Sequence, residues 1–299
     1  MKSQPSSLLK AVRNPFFVPN GIGARDAAIL WHDGELHCFF TGSYQGKETF
    51  YSHIEHIRTR DFATWERCPD VVSEPPIFWS VGNVIRAHGE WVLCMQDYRV
   101  PPGEKWAGDD ARLWLVKSPD LMTWGTPVCM RPEGCTVNWR PTRRQVDPFL
   151  VEHDNRYWCF YKGGGLGLLV SDDLAHWEEA CPDRPAFAPS DTPDNGTVEN
   201  PCVVRDGDEF VLFFVPMRAG GIGMARSRNL VQWHDCRYLD FPRAPWMNGC
   251  KPNAPMVIDT RADLGVWLMV LHSAEPEGVP HTGSLGLAWS TNLIDWACP

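Results

Sequence analysis

The sequence predicts an all-β protein, a five-bladed β-propeller, from three observations. A closing signature recurs five times: TRDFATW ends at Trp65, SPDLMTW at Trp124, SDDLAHW at Trp177, SRNLVQW at Trp233 and STNLIDW at Trp296. Two apolar runs joined by a short polar turn precede each signature, as expected for a β-hairpin. Sheets this small cannot bury their own faces, and radial stacking is the all-β arrangement that leaves few open edges.

The repeating unit is clearest between Val146 and Glu178. An apolar run of strand length, Pro148 to Val151, is followed by a polar turn, and the chain returns as Arg156 to Tyr161. It breaks at three consecutive glycines and runs again from Leu166 to Ser171. We therefore expect three antiparallel strands before each signature and an outer segment after it.

The repeats predict one domain over residues 1–299. Its blades are expected at residues 24–72, 82–131, 146–187, 198–240 and 253–299. The last blade ends soon after Trp296, without the outer segment that follows the other signatures. Residues Leu8 to Val12 are therefore predicted to supply the missing outer strand and close the ring.

Charge and hydropathy argue against several classes of partner. The net charge of −9 at pH 7 argues against a nucleic-acid backbone, which would require clustered Lys and Arg. No stretch approaches the roughly 18 consecutive apolar residues of a membrane helix. The N-terminal MKSQPSSLLKAV lacks the apolar segment of a signal peptide, which predicts a cytoplasmic protein as written, or a secreted or periplasmic one if a signal has been removed. The sequence indicates no oligomeric state.

The 11 cysteines form no CxxC pair. Cys38, Cys94 and Cys159 all fall in the second strand of their repeats, where a small apolar side chain suits a buried position. We expect reduced structural cysteines rather than metal ligands or disulfides.

Polar side chains open the five first strands at what the repeat indicates is the same position: Asp26, Asn83, Asp147, Glu199 and Asn253. First strands line the axis of a propeller, so three acids and two amides are expected to converge on one axial pocket. A single acid there is as easily a turn cap, but three crowded carboxylates repel one another and favour a functional cluster. Loops such as Asp97 to Asp110 and His272 to Gly283 are expected to surround the pocket.

Three short motifs carry these acids: Ala24-Arg25-Asp26-Ala27, Val146-Asp147-Pro148 and Val198-Glu199-Asn200-Pro201. With the repeat, they make the chain resemble the five-bladed glycoside hydrolases, most closely family 43 and its clan and more distantly families 32 and 68. The resemblance covers the whole chain and implies a catalytic pocket on the central axis. It implies that Asp26 is the base that activates water, that Glu199 is the acid that protonates the leaving oxygen, and that Asp147 orients Glu199 and modulates its proton affinity.

Two departures from these families stand out. Asp26 is followed by Ala27, where many members have proline, and the Trp-Met-Asn-Asp-Pro-Asn-Gly box of the fructan enzymes is absent from blade one. Both count against a fructan substrate. They leave open a phosphorylase-like relative, in which phosphate replaces water.

The expected function is an exo-acting, inverting glycoside hydrolase. It would release a terminal pentose or related sugar, of arabinofuranose, xylose or galactose type, from an oligosaccharide or glycoside. Inversion requires the base and the acid to stand about 6.5 to 9.5 Å apart. A non-catalytic carbohydrate-binding propeller is the alternative from another class, although a binding protein has no need of three convergent acids. A propeller that binds proteins would instead predict apolar patches on this face.

Further candidates surround the three acids. Substrate-binding side chains are expected at Trp79, Asn83, Trp139, Arg144, Lys162, Arg218, Trp246, Asn253 and His272. The tryptophans could stack on a sugar face or pack between blades, and the cations could bind hydroxyls or a substrate carboxylate. The resemblance makes His272 a candidate for holding a central ion or water. No metal-ligand set and no required cofactor are predicted, although the resemblance is compatible with a central structural cation.

Overall fold

The structure, a computed structural model, describes residues 5–18, 21–47, 50–73, 78–98, 108–273 and 283–299. Residues 99–107 and 274–282, in two of the loops expected around the axis, lie outside the described residues. The described part is almost entirely β, with a single α-helical turn, α1 (Arg261–Leu264), and short 3-10 turns. None of its helices has the length and apolar character needed to cross a membrane.

In the described part of the chain, twenty strands form five four-stranded blades in chain order. Blade one contains β1 (Gly23–His32), β2 (Glu35–Gln45), β3 (Phe50–Thr59) and β4 (Glu66–Arg67). Blade two contains β5 (Phe78–Ala87), β6 (Glu90–Tyr98), β7 (Arg112–Ser118) and β8 (Val128–Cys129). Blade three contains β9 (Val146–His153), β10 (Arg156–Lys162), β11 (Leu166–Ser171) and β12 (Glu178–Glu179). Blade four contains β13 (Val198–Asp206), β14 (Glu209–Pro216), β15 (Gly223–Ser227) and β16 (Trp233–Tyr238), and blade five contains β17 (Pro252–Thr260), β18 (Val266–Ser273), β19 (Leu285–Ser290) and β20 (Trp296–Ala297).

The blades are arranged as a closed ring. The first strands β1, β5, β9, β13 and β17 contact one another in sequence, and β17 meets β1. Pairing within each blade is antiparallel and proceeds outward from the axis. One parallel pair, Ser52 with Phe78, also links blades one and two. The predicted all-β, five-bladed propeller is confirmed.

The recurrent signature forms a capped turn after the third strand. In blade three the Ser171 hydroxyl accepts hydrogen bonds from the amides of Asp173 at 3.2 Å and Leu174 at 2.9 Å. Asp173 Oδ1 accepts from the next two amides at 2.8 Å each. The apolar residue of all five signatures has a left-handed backbone: Phe62, Leu121, Leu174, Leu230 and Leu293 have φ of 60°, 66°, 64°, 65° and 66°. The signature is therefore the side-chain chemistry of one local turn.

The signature tryptophans pack between neighbouring blades. Three of them meet a phenylalanine in the second strand of the preceding blade at T-shaped geometry: Trp124 on Phe39 at 5.7 Å, Trp233 on Phe160 at 6.0 Å and Trp296 on Phe213 at 5.9 Å. Edge-to-face aromatic pairs are favourable at these separations. In these three repeats the tryptophan thus helps to join one sheet to the next.

The N-terminal segment reaches the last blade, but not as a strand at Leu8 to Val12. Ser7–Ala11 form a 3-10 helix, so that prediction is wrong. Leu9 and Val12, three residues apart, are both buried, and this spacing suits one side of a tight helical turn rather than an alternating strand. The contact with β19 is made further along the chain. Asn14 Nδ2 donates to Leu287 O and Asn14 Oδ1 accepts from Leu287 N, both at 2.8 Å.

All 11 cysteines are free thiols. Cys38, Cys94 and Cys159 lie in β2, β6 and β10 and are fully buried, at the places the repeat indicated. Burial raises the pKa of the Cys94 thiol to about 12. These side chains act as small packing groups.

Candidate active site

A β-bulge opens the first strand of every blade. The register between first and second strands slips once in each pairing near this end. The residues at the bulge position are Asp26, Gly82, Asp147, Asn200 and Ala254, and four of them have left-handed φ: 42° for Asp26, 55° for Asp147, 50° for Asn200 and 45° for Ala254. Asp and Asn tolerate this conformation better than most residues. Bulges commonly aim a side chain at a site, and here they surround the axis.

The predicted equivalence of the five strand-opening residues is therefore wrong in three blades. Glu199 and Asn253 precede the bulge residue by one position, and Asn83 follows it. The sequence does carry a signal for the true register, since proline directly follows the bulge residue in blades three, four and five.

Asn83 consequently faces the next blade instead of the pocket. Its Nδ2 donates to Leu150 O at 2.9 Å and its Oδ1 accepts from Leu150 N at 2.7 Å. The residue is 7% exposed. Asn83 therefore joins β5 to β9, and its prediction as a substrate-binding residue is wrong.

A cavity lies on the axis next to the bulge residues. Its volume is about 410 Å³, a size typical of small-molecule sites. The lining residues are Arg25, Asp26, Gln96, Arg144, Val146, Asp147, Lys162, Glu199, Asn200, Met217 and Asn253. A second space of about 20 Å³, which shares Asp26, Asp147 and Asn200 with the cavity, lies at the bulges and is roughly large enough for a single water. The structure thus brings the three predicted acids together with Arg144, Lys162 and Asn253.

Asp26 is held by three side chains. Its Oδ2 accepts from Ser80 Oγ at 3.1 Å and Arg25 Nε at 3.3 Å, and its Oδ1 accepts from Asn200 Nδ2 at 3.3 Å. Burial favours a higher pKa, but the Arg25 charge, the neighbouring His272 and these hydrogen bonds outweigh it and hold the pKa of Asp26 below its ordinary value. An ionised carboxylate at neutral pH suits a base.

Asp147 lies in the opposite kind of environment. Its own N–H donates to Gln96 Oε1, and its Oδ2 accepts from Asn200 N at 3.3 Å. Burial is the main cause that raises the pKa of Asp147 to about 6; the negative charges of Glu199 and Asp26 add to it, and Lys162 opposes it. Two nearby carboxyl groups whose surroundings push their pKa values apart are typical of acid–base sites.

Glu199 is paired with Lys162. Lys162 Nζ donates to Glu199 Oε2, and the two side chains are 25% and 21% exposed. The Lys162 charge also acts on Asp147. Lys162 therefore couples the two carboxyl groups of blades three and four.

Sequence reasoning did not select Arg25, Gln96, Asn200 or Met217, which also line the cavity. Asn200 matters most, because its side chain binds Asp26 and its backbone binds Asp147. The proline after the bulge residue would have identified Asn200. Gln96 lies in β6 and Met217 directly follows β14, where no repeated residue marks the position that faces the axis.

The three tryptophans expected at the rim pack against protein instead. Trp79 is 4% exposed and meets Trp114 edge-on at 5.8 Å. Trp139 Nε1 donates to the Cys181 carbonyl at 3.1 Å. The ring of Trp246 lies against a glycine of β19, where a Cβ would overlap it. Burial contradicts the sugar-stacking prediction for Trp79; Trp139 and Trp246 are half-buried and, like Trp79, do not line the cavity.

Arg218 also lies away from the cavity lining. Its Nη1 donates to Asp194 O at 2.7 Å, and the contact is exposed. Arg218 therefore supports its own loop and does not contribute to the site as predicted.

His272 is buried beside Asp26, with 2% exposure. Its Nδ1 accepts from Asp26 N at 3.2 Å, and burial lowers the pKa of the imidazole to about 4, so the ring is neutral. With Nδ1 engaged in this bond, that nitrogen does not fit the role of a cation ligand. Within the described ranges, no group of three or more His, Cys, Asp or Glu side chains is placed to hold a metal ion.

No model of a known protein family matches the sequence, and no curated protein matches it. Solved structures match over nearly the whole chain. An exo-1,5-alpha-L-arabinanase from a bovine ruminal metagenomic library is 14% identical, with a TM-score of 0.65 over 95% of this chain and 99% of that chain. A family 32 beta-fructofuranosidase from Bombyx mori is 14% identical, with a TM-score of 0.69 over 97% and 66%. An exo-beta-1,3-galactanase from Clostridium thermocellum is 14% identical, with a TM-score of 0.65 over 95% and 65%.

The chain therefore has the five-bladed propeller fold of glycoside hydrolases of families 43 and 32. At this level of identity the likeness concerns the fold, and a fold hosts many functions. The chemistry of this chain follows from its own cavity.

Proposed function

We propose that the protein is a glycoside hydrolase that releases a terminal sugar with inversion of the anomeric configuration. The observation that carries the proposal is the convergence of Asp26, Asp147 and Glu199 on one cavity, with the first two bridged by Asn200 and placed in opposite electrostatic environments. Acid–base catalysis at a single pH requires carboxyl groups that differ in proton affinity. Two structural neighbours, an exo-arabinanase and an exo-galactanase, support a carbohydrate substrate.

Asp26 is the proposed base. Its pKa lies below the ordinary value, so its carboxylate is available at neutral pH to take a proton from the attacking water. Glu199 is the proposed acid, which protonates the glycosidic oxygen as the bond to the anomeric carbon breaks. The proton lost by water and the proton gained by the leaving group thus pass through two different carboxyl groups.

Asp147 and Lys162 are the proposed modulators of Glu199. Burial raises the pKa of Asp147 to about 6, the Lys162 charge opposes this rise, and the same Lys162 side chain pairs with Glu199. We propose that Asp147 acts on Glu199 through this shared cation as well as through its own charge.

The size of the cavity supports action at chain ends. Its volume of about 410 Å³ is that of a small-molecule site, and a separate space of about 20 Å³ lies beside it at the bulge residues. A terminal sugar enters such a cavity, whereas an internal sugar of a chain needs a second exit. A pentose or related sugar of arabinofuranose, xylose or galactose type is the proposed substrate.

Hydrolysis of a panel of nitrophenyl glycosides tests the proposal. One member is expected to be turned over, and Asp26→Asn and Glu199→Gln are each expected to lower kcat by about 10²- to 10⁴-fold, the usual contribution of a general acid or base. Glu178→Gln, an exposed carboxylate of β12, is the matched control and should leave kcat unchanged. Proton NMR of the first product should show the inverted anomer. Sugar binding without turnover of any member would favour a carbohydrate-binding propeller instead.

Phosphorolysis is a second candidate, because three cationic side chains, Arg25, Arg144 and Lys162, line the cavity. Phosphate would replace water as the attacking group and appear in the product as a sugar 1-phosphate. The same panel separates the two reactions. Turnover in phosphate-free buffer indicates hydrolysis, and turnover that requires phosphate indicates phosphorolysis.

A further inference from the structure

The bulges that expose Asp26 and Asp147 remove their backbone N–H groups from the ladder with the second strand. A buried N–H without an acceptor costs about 1–3 kcal/mol. Both groups find an acceptor on a side chain of the preceding blade. Asp26 N donates to His272 Nδ1 of blade five at 3.2 Å, and Asp147 N donates to Gln96 Oε1 of blade two.

We infer that His272 and Gln96 are positioning residues, each of which holds one catalytic carboxyl group in place by accepting the backbone N–H of the residue that carries it. The inference rests on the proposed function, because it concerns the placement of the proposed base, Asp26, and of its partner, Asp147. The two anchors act across the boundaries between blades one and five and between blades two and three.

Both anchors are rigid. His272 is 2% exposed and Gln96 is 4% exposed. His272 pairs within its sheet with Asn253 and Leu285, and Gln96 is paired on both sides as well. Side chains on paired strands hold a site more closely than side chains on loops.

The chemistry of each acceptor suits its carboxyl group. His272 is neutral because burial lowers its pKa to about 4, so Nδ1 keeps the lone pair that the Asp26 amide requires. Gln96 offers a carbonyl oxygen without a charge. A carboxylate in its place would add a third negative charge around Asp147 and oppose its ionisation further.

The amide of Asn200 also finds its acceptor on a side chain of the preceding blade, Asp147 Oδ2, whereas Ala254 N donates to Asn253 Oδ1, the side chain directly before it. Each of the three bulge amides that are bound by a side chain of the preceding blade therefore makes a contact that involves Asp26 or Asp147.

His272 gives the cleaner test, because Gln96 also lines the cavity. His272→Leu removes the acceptor and keeps an apolar side chain in a buried place. His272→Asn keeps an oxygen acceptor at the same distance along the side chain as Nδ1. A displacement of about 1 Å can cost about 10²-fold in rate. We expect His272→Leu to lower kcat by about 10²-fold with KM within a factor of about three, and His272→Asn to recover at least tenfold of that loss.

Three measurements are made on wild type and both variants. They are kcat and KM on the glycoside that wild type turns over, the melting temperature, and the rate of hydrogen exchange at the Asp26 amide. Faster exchange in His272→Leu with the expected kcat loss supports the inference. An unchanged kcat in His272→Leu overturns the inference. An equal loss of kcat in His272→Leu and His272→Asn, in proportion to an equal loss of melting temperature, also overturns it. Absence of glycosidase and phosphorylase activity in wild type would contradict the proposed function. Separately, an Asp26 amide that exchanges no faster in His272→Leu than in wild type would contradict the anchoring of that amide by His272.

Discussion

Asn14→Ala is expected to destabilise the protein by about 2 to 4 kcal/mol, because Asn14 ties the N-terminal segment to the last blade. Its Nδ2 donates to Leu287 O at 2.8 Å and to Pro299 O at 3.0 Å, and its Oδ1 accepts from Leu287 N at 2.8 Å. Phe17 pairs with Leu285 beside it. Asn14 thus completes the outer side of β19 where β20 has ended.

The magnitude follows from these bonds. Each net hydrogen bond contributes about 0.5 to 1.5 kcal/mol, and each backbone group left buried without a partner costs about 1 to 3 kcal/mol. Leu287 is fully buried, so its N–H and C=O both lose their partner in the variant. Asn14 itself is half-buried, and water entering its place offsets part of the loss. The two backbone groups together cost about 2 to 6 kcal/mol, and water entering the site brings the expected loss to about 2 to 4 kcal/mol. That loss is about 4 to 8 °C in melting temperature at about 2 °C per kcal/mol for a chain of this length.

Thermal and urea unfolding, followed by tryptophan fluorescence, measure the effect. Asn229→Ala is the control, because Asn229 Oδ1 accepts from the Ser227 hydroxyl and from the amides of Val231 and Gln232, all within its own turn. It should cost about 1 kcal/mol, the usual value of a side-chain cap. Equal losses in the two variants, or a loss below about 1 kcal/mol in Asn14→Ala, would refute the role of Asn14 in ring closure.

Two further predictions concern charge. Lys162 lowers the pKa of Asp147, so Lys162→Met is expected to raise it above about 6, as followed by ¹³C NMR of the Asp147 carboxyl; an unchanged or lower pKa would contradict the coupling. The buried pair of His37 and His56, joined at 3.0 Å between Nδ1 and Nε2, is expected to make the fold acid-labile. Burial lowers the pKa of both rings in the folded state, to about 4 for His37. As pH falls below about 6.5, the unfolded state therefore binds more protons than the folded state. The free energy of unfolding decreases until the rings of the folded state also protonate. His37 alone contributes about 3 kcal/mol at about 1.4 kcal/mol per pKa unit, and urea unfolding at pH 7 and pH 4.5 should show a smaller difference in His56→Phe than in wild type.

Local chemistry explains why the repeat could be recognised. In the signature, Ser171 and Asp173 accept hydrogen bonds from amides within three residues, and Leu174 adopts the left-handed turn. All the partners lie within a few residues, so the pattern is complete in one stretch of chain. Five copies predict five sheets, and exposed strand edges favour radial stacking.

The sequence predicts the position of the bulge residue correctly in only two of the five blades. Asp26 and Asp147 were placed correctly, but Glu199 was assigned to the bulge position that Asn200 occupies. One extra residue in a strand reverses the faces of all the side chains that follow, so a repeat that tolerates single-residue shifts does not reveal which side chain reaches the axis. The proline after the bulge would have resolved blades three to five.

Contacts between blades were beyond the sequence. Trp79, Trp139 and Trp246 lie close to first strands in the chain, yet each finds a packing partner on another strand or loop. Gln96 gave no signal, because a lone glutamine at the end of a strand has no repeated counterpart. Its partner Asp147 lies in the next blade.

The five blades and the three axial acids follow from the order of residues, because turns, strands and bulges depend on near neighbours. The pairing of Lys162 with Glu199, the bridge at Asn200 and the anchors His272 and Gln96 arise when the ring closes and residues of different blades meet. The surroundings that separate the pKa values of Asp26 and Asp147 also come from that closure, since burial and the charges of other elements produce them.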